Sequence, residues 1–159
     1  MRQSVHLWLR RDRLSIEVKK EDIIQHGIEV FRSIGAHYVC NVCIKSGNSC
    51  CFSCQHLQDG VGCQKRNTAC TAWLCGIQGF LFDQIGLLDE WNRFWIEIPG
   101  KMFRRDITPD KIRITTFIDT KKLNSRAGEL LAERLESYLQ QGGDISKLER
   151  HLSKTYSKY

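Results

Sequence analysis

No stretch of this chain approaches the roughly 18 consecutive apolar residues that a helix needs to cross a bilayer. The opening residues turn basic at Arg10, Arg11 and Arg13 before any apolar run develops, so they lack the pattern of a secretory signal. A Gly-rich loop able to cradle phosphate is missing too, because Gly60-Val61-Gly62 is too short for one. Internal repeats, low-complexity tracts and obvious linkers are absent, which leaves one domain over residues 1–159. Cysteine is absent everywhere outside residues 40–75. The expectation from these absences is a cytoplasmic protein with no membrane partner, in a compartment where thiols stay reduced.

Within residues 40–75 the composition reverses. All eight cysteines stand there: Cys40, Cys43, Cys50, Cys51, Cys54, Cys63, Cys70 and Cys75. Such clustering points to one shared task, and a reducing compartment favours metal ligation over a disulfide framework. A tetrahedral zinc ion takes four thiolate or imidazole ligands, and a C-x2-C pair supplies two of them from one tight turn. Cys40/Cys43 with Cys51/Cys54 would close one four-thiolate site and leave Cys50, Cys63, Cys70 and Cys75 as a second set. An iron–sulfur cluster is the alternative cofactor, since it also takes four thiolates and tolerates irregular spacings such as those after Cys54. His37 and His56 stand near enough in sequence to replace a cysteine.

Cys40, Cys43, Cys50 and Cys51, followed by Gly62-Cys63, Arg66, Cys70 and Cys75, resemble the YkgJ-type cysteine-cluster family. Asn67 stands where that family usually has proline, and the interval from Cys63 to Cys70 is compressed. The resemblance covers about a quarter of the chain and implies a zinc- or iron-chelating knot. It implies little about the remainder.

Around the knot, hydrophobic periodicity predicts an α+β domain. Residues 5–9 and 14–18 alternate with period two and read as an N-terminal hairpin. Residues 21–34 switch to helical spacing, with Gly35 as the stop. The cysteine segment reads as loop, and residues 71–91 as one helix weakened by Gly76, Gly79 and Gly86. Residues 95–98 read as extended up to the Pro99-Gly100 turn, and residues 112–118 as a strand. Residues 125–140 form the clearest helix, with Ala127, Leu130, Leu131, Leu135, Tyr138 and Leu139 as its apolar face. Gly142-Gly143 stops it, and Ser146-x-x-Glu149 reads as a capping box for a last helix.

The net charge of +6 is uneven, with an excess of +5 in residues 101–159. Lys101, Arg104, Arg105, Lys111, Arg113, Lys121, Lys122 and Arg126 are therefore candidate contacts to a nucleic-acid backbone. Trp91, Phe94, Trp95 and Phe103 flank the first of these, where they either stack on bases or pack the core. Catalysis has less support. No orienting group accompanies any Cys–His combination, and Asp89-Glu90 reads as solvated helix surface. The expectation is a non-catalytic zinc protein presenting a basic surface to nucleic acid or a protein partner. The alternative is an iron–sulfur protein with a redox or enzymatic role.

Overall fold

The computed structural model describes residues 14–48, 54–58, 62–63, 65–102 and 105–156. The order is β1 (Ile16–Lys19), α1 (Lys20–Ser33), α2 (Ala36–Lys45), β2 (Leu57–Gln58), β3 (Gly62–Cys63), α3 (Thr68–Ala72), α4 (Gly76–Gln84) and α5 (Leu88–Ile96). It continues with β4 (Lys101–Met102), β5 (Arg105–Asp106), β6 (Lys111–Ile114), a 3-10 turn (Thr120–Lys122), α6 (Arg126–Gln140) and α7 (Ile145–Tyr156). The architecture is α+β and mostly helical, with three short antiparallel strand pairs among the described residues. No described helix is long and apolar enough to cross a membrane.

The first arm of the expected hairpin, residues 5–9, lies outside the described residues. Its second arm is β1, which pairs with β6 in the register Ile16↔Ile114 and Val18↔Ile112. Ile112 and Ile114 are buried, and Val18 packs against the same core. The expected strand 112–118 is therefore shorter, and it closes on the opposite end of the described chain.

Helix α1 buries Ile23, Gly27 and Val30 along one stripe and carries Glu21 and Asp22 in its first turn, where acidic groups suit the helix dipole. Gly35, at φ 74°, turns the chain directly into α2. The loop expected for the cysteine segment is thus corrected over residues 40–45, which are helical. Ala36, Val39 and Val42 recur at threes and are all buried, and this apolar stripe outweighs the turn preference of a C-x2-C pair.

The single helix expected over residues 71–91 is three pieces. Gly86, at φ 72°, ends α4, and Cys75 caps its start, so Thr71 and Trp73 belong to the separate α3 region. Residues 95–96 are helical rather than extended, because Trp91, Phe94 and Trp95 share one buried face of α5. The Pro99-Gly100 turn is present, with Gly100 at φ 79°. On α6 the buried residues are Gly128, Ala132 and Leu135, whereas Leu130 and Tyr138 of the expected face are partly exposed. The last helix is capped not by Ser146 but by Asp144, whose Oδ1 accepts from the Lys147 N–H at 3.1 Å.

Trp91 and Phe82 lie at the centre of the core with Ile23, Ile34, Ile77 and Ile98. Edge-on ring contacts run from Phe82 to Trp91 (4.9 Å between centroids), on to Trp95 (5.5 Å) and to Phe94 (5.2 Å). Trp91 donates its indole N–H to the Ala72 carbonyl at 3.1 Å. These three α5 aromatics are core, so they offer no stacking platform to bases. Phe103 lies outside the described residues.

Two close helix crossings support the cysteine-bearing elements. Helix α4 lies on α7, where a Cβ at Gly76 would come within 2.3 Å of the Ser153 nitrogen and 2.6 Å of the Glu149 carbonyl oxygen. Helix α2 lies on α6, where a Cβ at Gly128 would come within 2.3 Å of the Gly35 backbone. In an unhindered helix Gly→Ala stabilises by about 0.5–1 kcal/mol. Gly76→Ala is expected to do the reverse and cost about 3 kcal/mol, since two backbones must separate. Urea unfolding checks the sign, and a stabilised variant would show that α4 and α7 are not in backbone contact.

His26 gives the fold a pH dependence. Its Nε2 accepts from the Ile118 N–H at 3.0 Å, between the rings of Phe94 and Phe117. Burial lowers its pKa below 6.5, and the charge of Glu29 opposes that only in part. The unfolded chain therefore binds this proton at a higher pH than the folded one, so the contribution is full above about pH 6.5 and falls as pH drops below it. Thermal unfolding followed between pH 7.5 and 5.5 should show that decline. In His26→Gln, whose amide oxygen can accept the same N–H without titrating, the decline should be shallower.

Candidate functional site: the cysteine cluster

Helix α2 places Cys40 and Cys43 three residues apart, on adjacent turns of one face. The end of this helix is tied down locally. Ser46 Oγ donates to the Cys43 carbonyl at 2.8 Å, the Asn48 N–H donates to the same oxygen at 2.9 Å, and Ser146 of α7 donates to Asn48 Oδ1 at 2.7 Å. Cys54 stands at the turn before β2, where its carbonyl accepts from the Leu57 N–H at 3.0 Å. Cys63 is paired with Leu57 in the β2–β3 ladder and donates its thiol to the Lys65 carbonyl at 2.9 Å.

Cys70 lies on α3, which Asn67 caps by accepting the Cys70 N–H at 2.8 Å. Burial pushes the Cys70 thiol above its usual pKa, and the neighbouring Cys63 and Cys54 thiols add to that, against the Asn67 hydrogen bond and Arg66. Cys54, Cys63 and Cys70 thus share one electrostatic neighbourhood although they come from a turn, a strand and a helix. Arg66 also lies 5.6 Å from the centre of the Phe31 ring, which ties this region to α1.

Helix α3 is held from below by Asp106. Its Oδ2 accepts the Thr68 N–H at 3.1 Å and its Oδ1 the Thr108 N–H at 2.8 Å. Thr108 Oγ1 donates to the Pro99 carbonyl at 2.7 Å, so in its 2.8 Å contact with Thr68 Oγ1 the Thr68 hydroxyl is the donor. Burial alone would raise the Asp106 pKa, but these hydrogen bonds from Thr108 and Thr68 outweigh it and hold the carboxyl below its ordinary value. Lys20 adds a cation 3.9 Å from Oδ2.

Cys75 caps α4, its sulfur accepting from the Gln78 N–H at 3.4 Å. The Gln78 side chain reaches across to α2 and donates to the Ala36 carbonyl at 2.9 Å and to Cys40 Sγ at 3.2 Å. No spacing rule singles out Gln78. The available signal was a lone amide among Ile77, Gly79, Leu81 and Phe82, a buried polar group that must have partners.

Cys50 and Cys51 lie outside the described residues. Among the described residues, no three His, Cys, Asp or Glu side chains gather closely enough to hold a metal ion. Of the pair Cys51/Cys54 expected to meet Cys40/Cys43, only Cys54 is described, and it contributes to the electrostatics of Cys70, while Cys75 shares a hydrogen-bonding residue with Cys40. His37 stacks on Tyr38 at 4.0 Å, and burial followed by the charge of Arg32 lowers its pKa. His56 contacts Gln55 at 3.4 Å.

The candidate basic residues divide into groups. Lys101 turns inward, its ammonium bound to the Trp95 and Ile98 carbonyls at the end of α5, and burial lowers its pKa. Lys111 lies 3.5 Å from Glu17, Arg113 donates to Ser15, and Arg126 lies 3.8 Å from Glu129. Arg105, Lys121 and Lys122 are exposed, and Arg104 lies outside the described residues.

No protein-family model, no curated protein and no solved structure matches this chain.

Proposed function

We propose that this chain is a metal-binding protein whose thiolates secure an irregular segment to a helical body. Cys40, Cys43, Cys50, Cys51, Cys54, Cys63, Cys70 and Cys75 would hold the metal. The observation that carries this reading is that one residue, Gln78, hydrogen-bonds two sulfurs from separate elements, Cys40 Sγ on α2 and Cys75 Sγ at the head of α4. The donor chemistry fits, because Cys40 and Cys75 sulfurs accept N–H hydrogen bonds, the role a metal-bound thiolate plays. The resemblance of residues 40–75 to YkgJ-type clusters points the same way.

Zinc bound there would supply a structural cross-link, so its binding energy would be folding energy for the segment between α2 and α4. Protein purified anaerobically should be colourless with stoichiometric zinc by mass spectrometry, and chelation should lower its thermal stability. A brown protein with broad visible absorption would replace zinc with an iron–sulfur cluster. Metal-free protein of unchanged stability would end the reading.

The second part of the proposal is that the C-terminal region offers cations to a nucleic-acid backbone. Lys121 and Lys122 support it, being exposed and without an ion pair among the described residues. Binding by phosphate neutralisation falls with salt, each contact contributing about 0.9 to the logarithmic slope on duplex DNA. Replacing Lys121, Lys122 and Arg126 with Gln should weaken binding and flatten that slope while metal content stays unchanged. Anisotropy titrations at two salt concentrations check this. No binding at low salt would assign the face to solvent or a protein partner.

A further inference from the structure

We propose that Gln78 is the positioning residue of the thiol cluster, drawing Cys40 of α2 and Cys75 at the head of α4 into one ligand set for a thiophilic divalent metal. This rests on the metal-binding reading above. Sequence spacing had placed these two cysteines in different sets.

Gln78 is 2% exposed, on a helix whose other buried residues are apolar or glycine. A buried primary amide destabilises a core unless its hydrogen bonds are made, and leucine of similar volume would pack the same space. A buried amide at this position therefore calls for partners. The amide nitrogen carries two hydrogens, one for the Ala36 carbonyl and one for Cys40 Sγ. Because the Ala36 oxygen only accepts, it fixes which end of the amide is nitrogen. Cys40 Sγ is then the acceptor of the second hydrogen. The same residue's backbone N–H points at Cys75 Sγ, at the first turn of α4, where the helix dipole also favours negative charge.

One residue thus donates to two sulfurs from elements far apart in sequence, and each sulfur accepts one of its N–H groups. Gln78 Oε1 is buried with no hydrogen-bond partner among the described residues, so the amide is oriented by what its nitrogen holds. Such outer hydrogen bonds set the position and charge of metal ligands, and removing one typically weakens metal affinity 10–100-fold.

The test is a cobalt(II) titration of the reduced, metal-stripped full chain, followed through thiolate-to-cobalt charge-transfer absorbance. Gln78→Leu and the isosteric Gln78→Glu should each bind cobalt about 10–100-fold more weakly than wild type. Should the leucine variant fail to fold, the glutamate variant carries the comparison. Cys40→Ser and Cys75→Ser should each remove the same part of the absorbance, and the double variant should lose little more than either single one. Wild-type affinity in Gln78→Glu, or additive losses from the two cysteine variants, would overturn the assignment while leaving metal binding intact. A wild-type chain that takes up no cobalt would instead sink the metal-binding reading and this inference with it.

Discussion

Backbone contact between helices at Gly76 and Gly128 is the constraint on which the cysteine arrangement depends. A helix pair normally keeps its axes about 8–10 Å apart because side chains fill the gap. At these glycines the gap has no side chain to fill it. Helix α4 rests directly on the Ser153 and Glu149 backbone of α7, and the start of α6 rests on the Gly35 turn. The Gly76 N–H, unsatisfied within its own helix, is taken by Glu149 Oε1 at 3.2 Å, and the Gly128 N–H by the Ile34 carbonyl at 3.2 Å. The two C-terminal helices are thus a bed for α2 and α4, the elements that carry Cys40, Cys43 and Cys75.

A second support acts on the other group of thiols. The β4–β5 hairpin turns Lys101 and Asp106, which pair across the ladder, toward the body, and leaves Met102 and Arg105 outward. Lys101 closes the carbonyl end of α5, and Asp106 takes the N–H at the start of α3. One short hairpin therefore fixes the core helix that holds Trp91 and the small helix that holds Cys70. The same use of Lys101 removes it from the open basic surface, which explains why summed charge overstates the cations available to a partner.

Cys40 and Cys75 sulfurs each accept an N–H of Gln78, Cys63 donates its thiol to the Lys65 carbonyl, and burial with the neighbouring thiols raises the pKa of Cys70. Ligation requires thiolate, so a metal would displace the Cys63 proton and relieve the crowding at Cys70.

Periodicity alone located α1 and α6 closely, because Ile23, Gly27 and Ile34 on one and Ala127, Leu131 and Leu135 on the other recur at helical spacing, and Gly35 and Gly142 mark the ends through positive φ. The confinement of cysteine to residues 40–75 marked the candidate site equally well, since clustering is a property of composition. Which thiols stand together was not legible from spacing. Ala36, Val39 and Val42 turned the first C-x2-C pair into helix, and a buried amide four residues beyond the apolar Leu74 linked Cys40 to Cys75. The β1–β6 pairing and the Gly76 and Gly128 crossings were hidden for the same cause. Local sequence determines which face of an element is apolar, but only tertiary packing decides which other element that face meets.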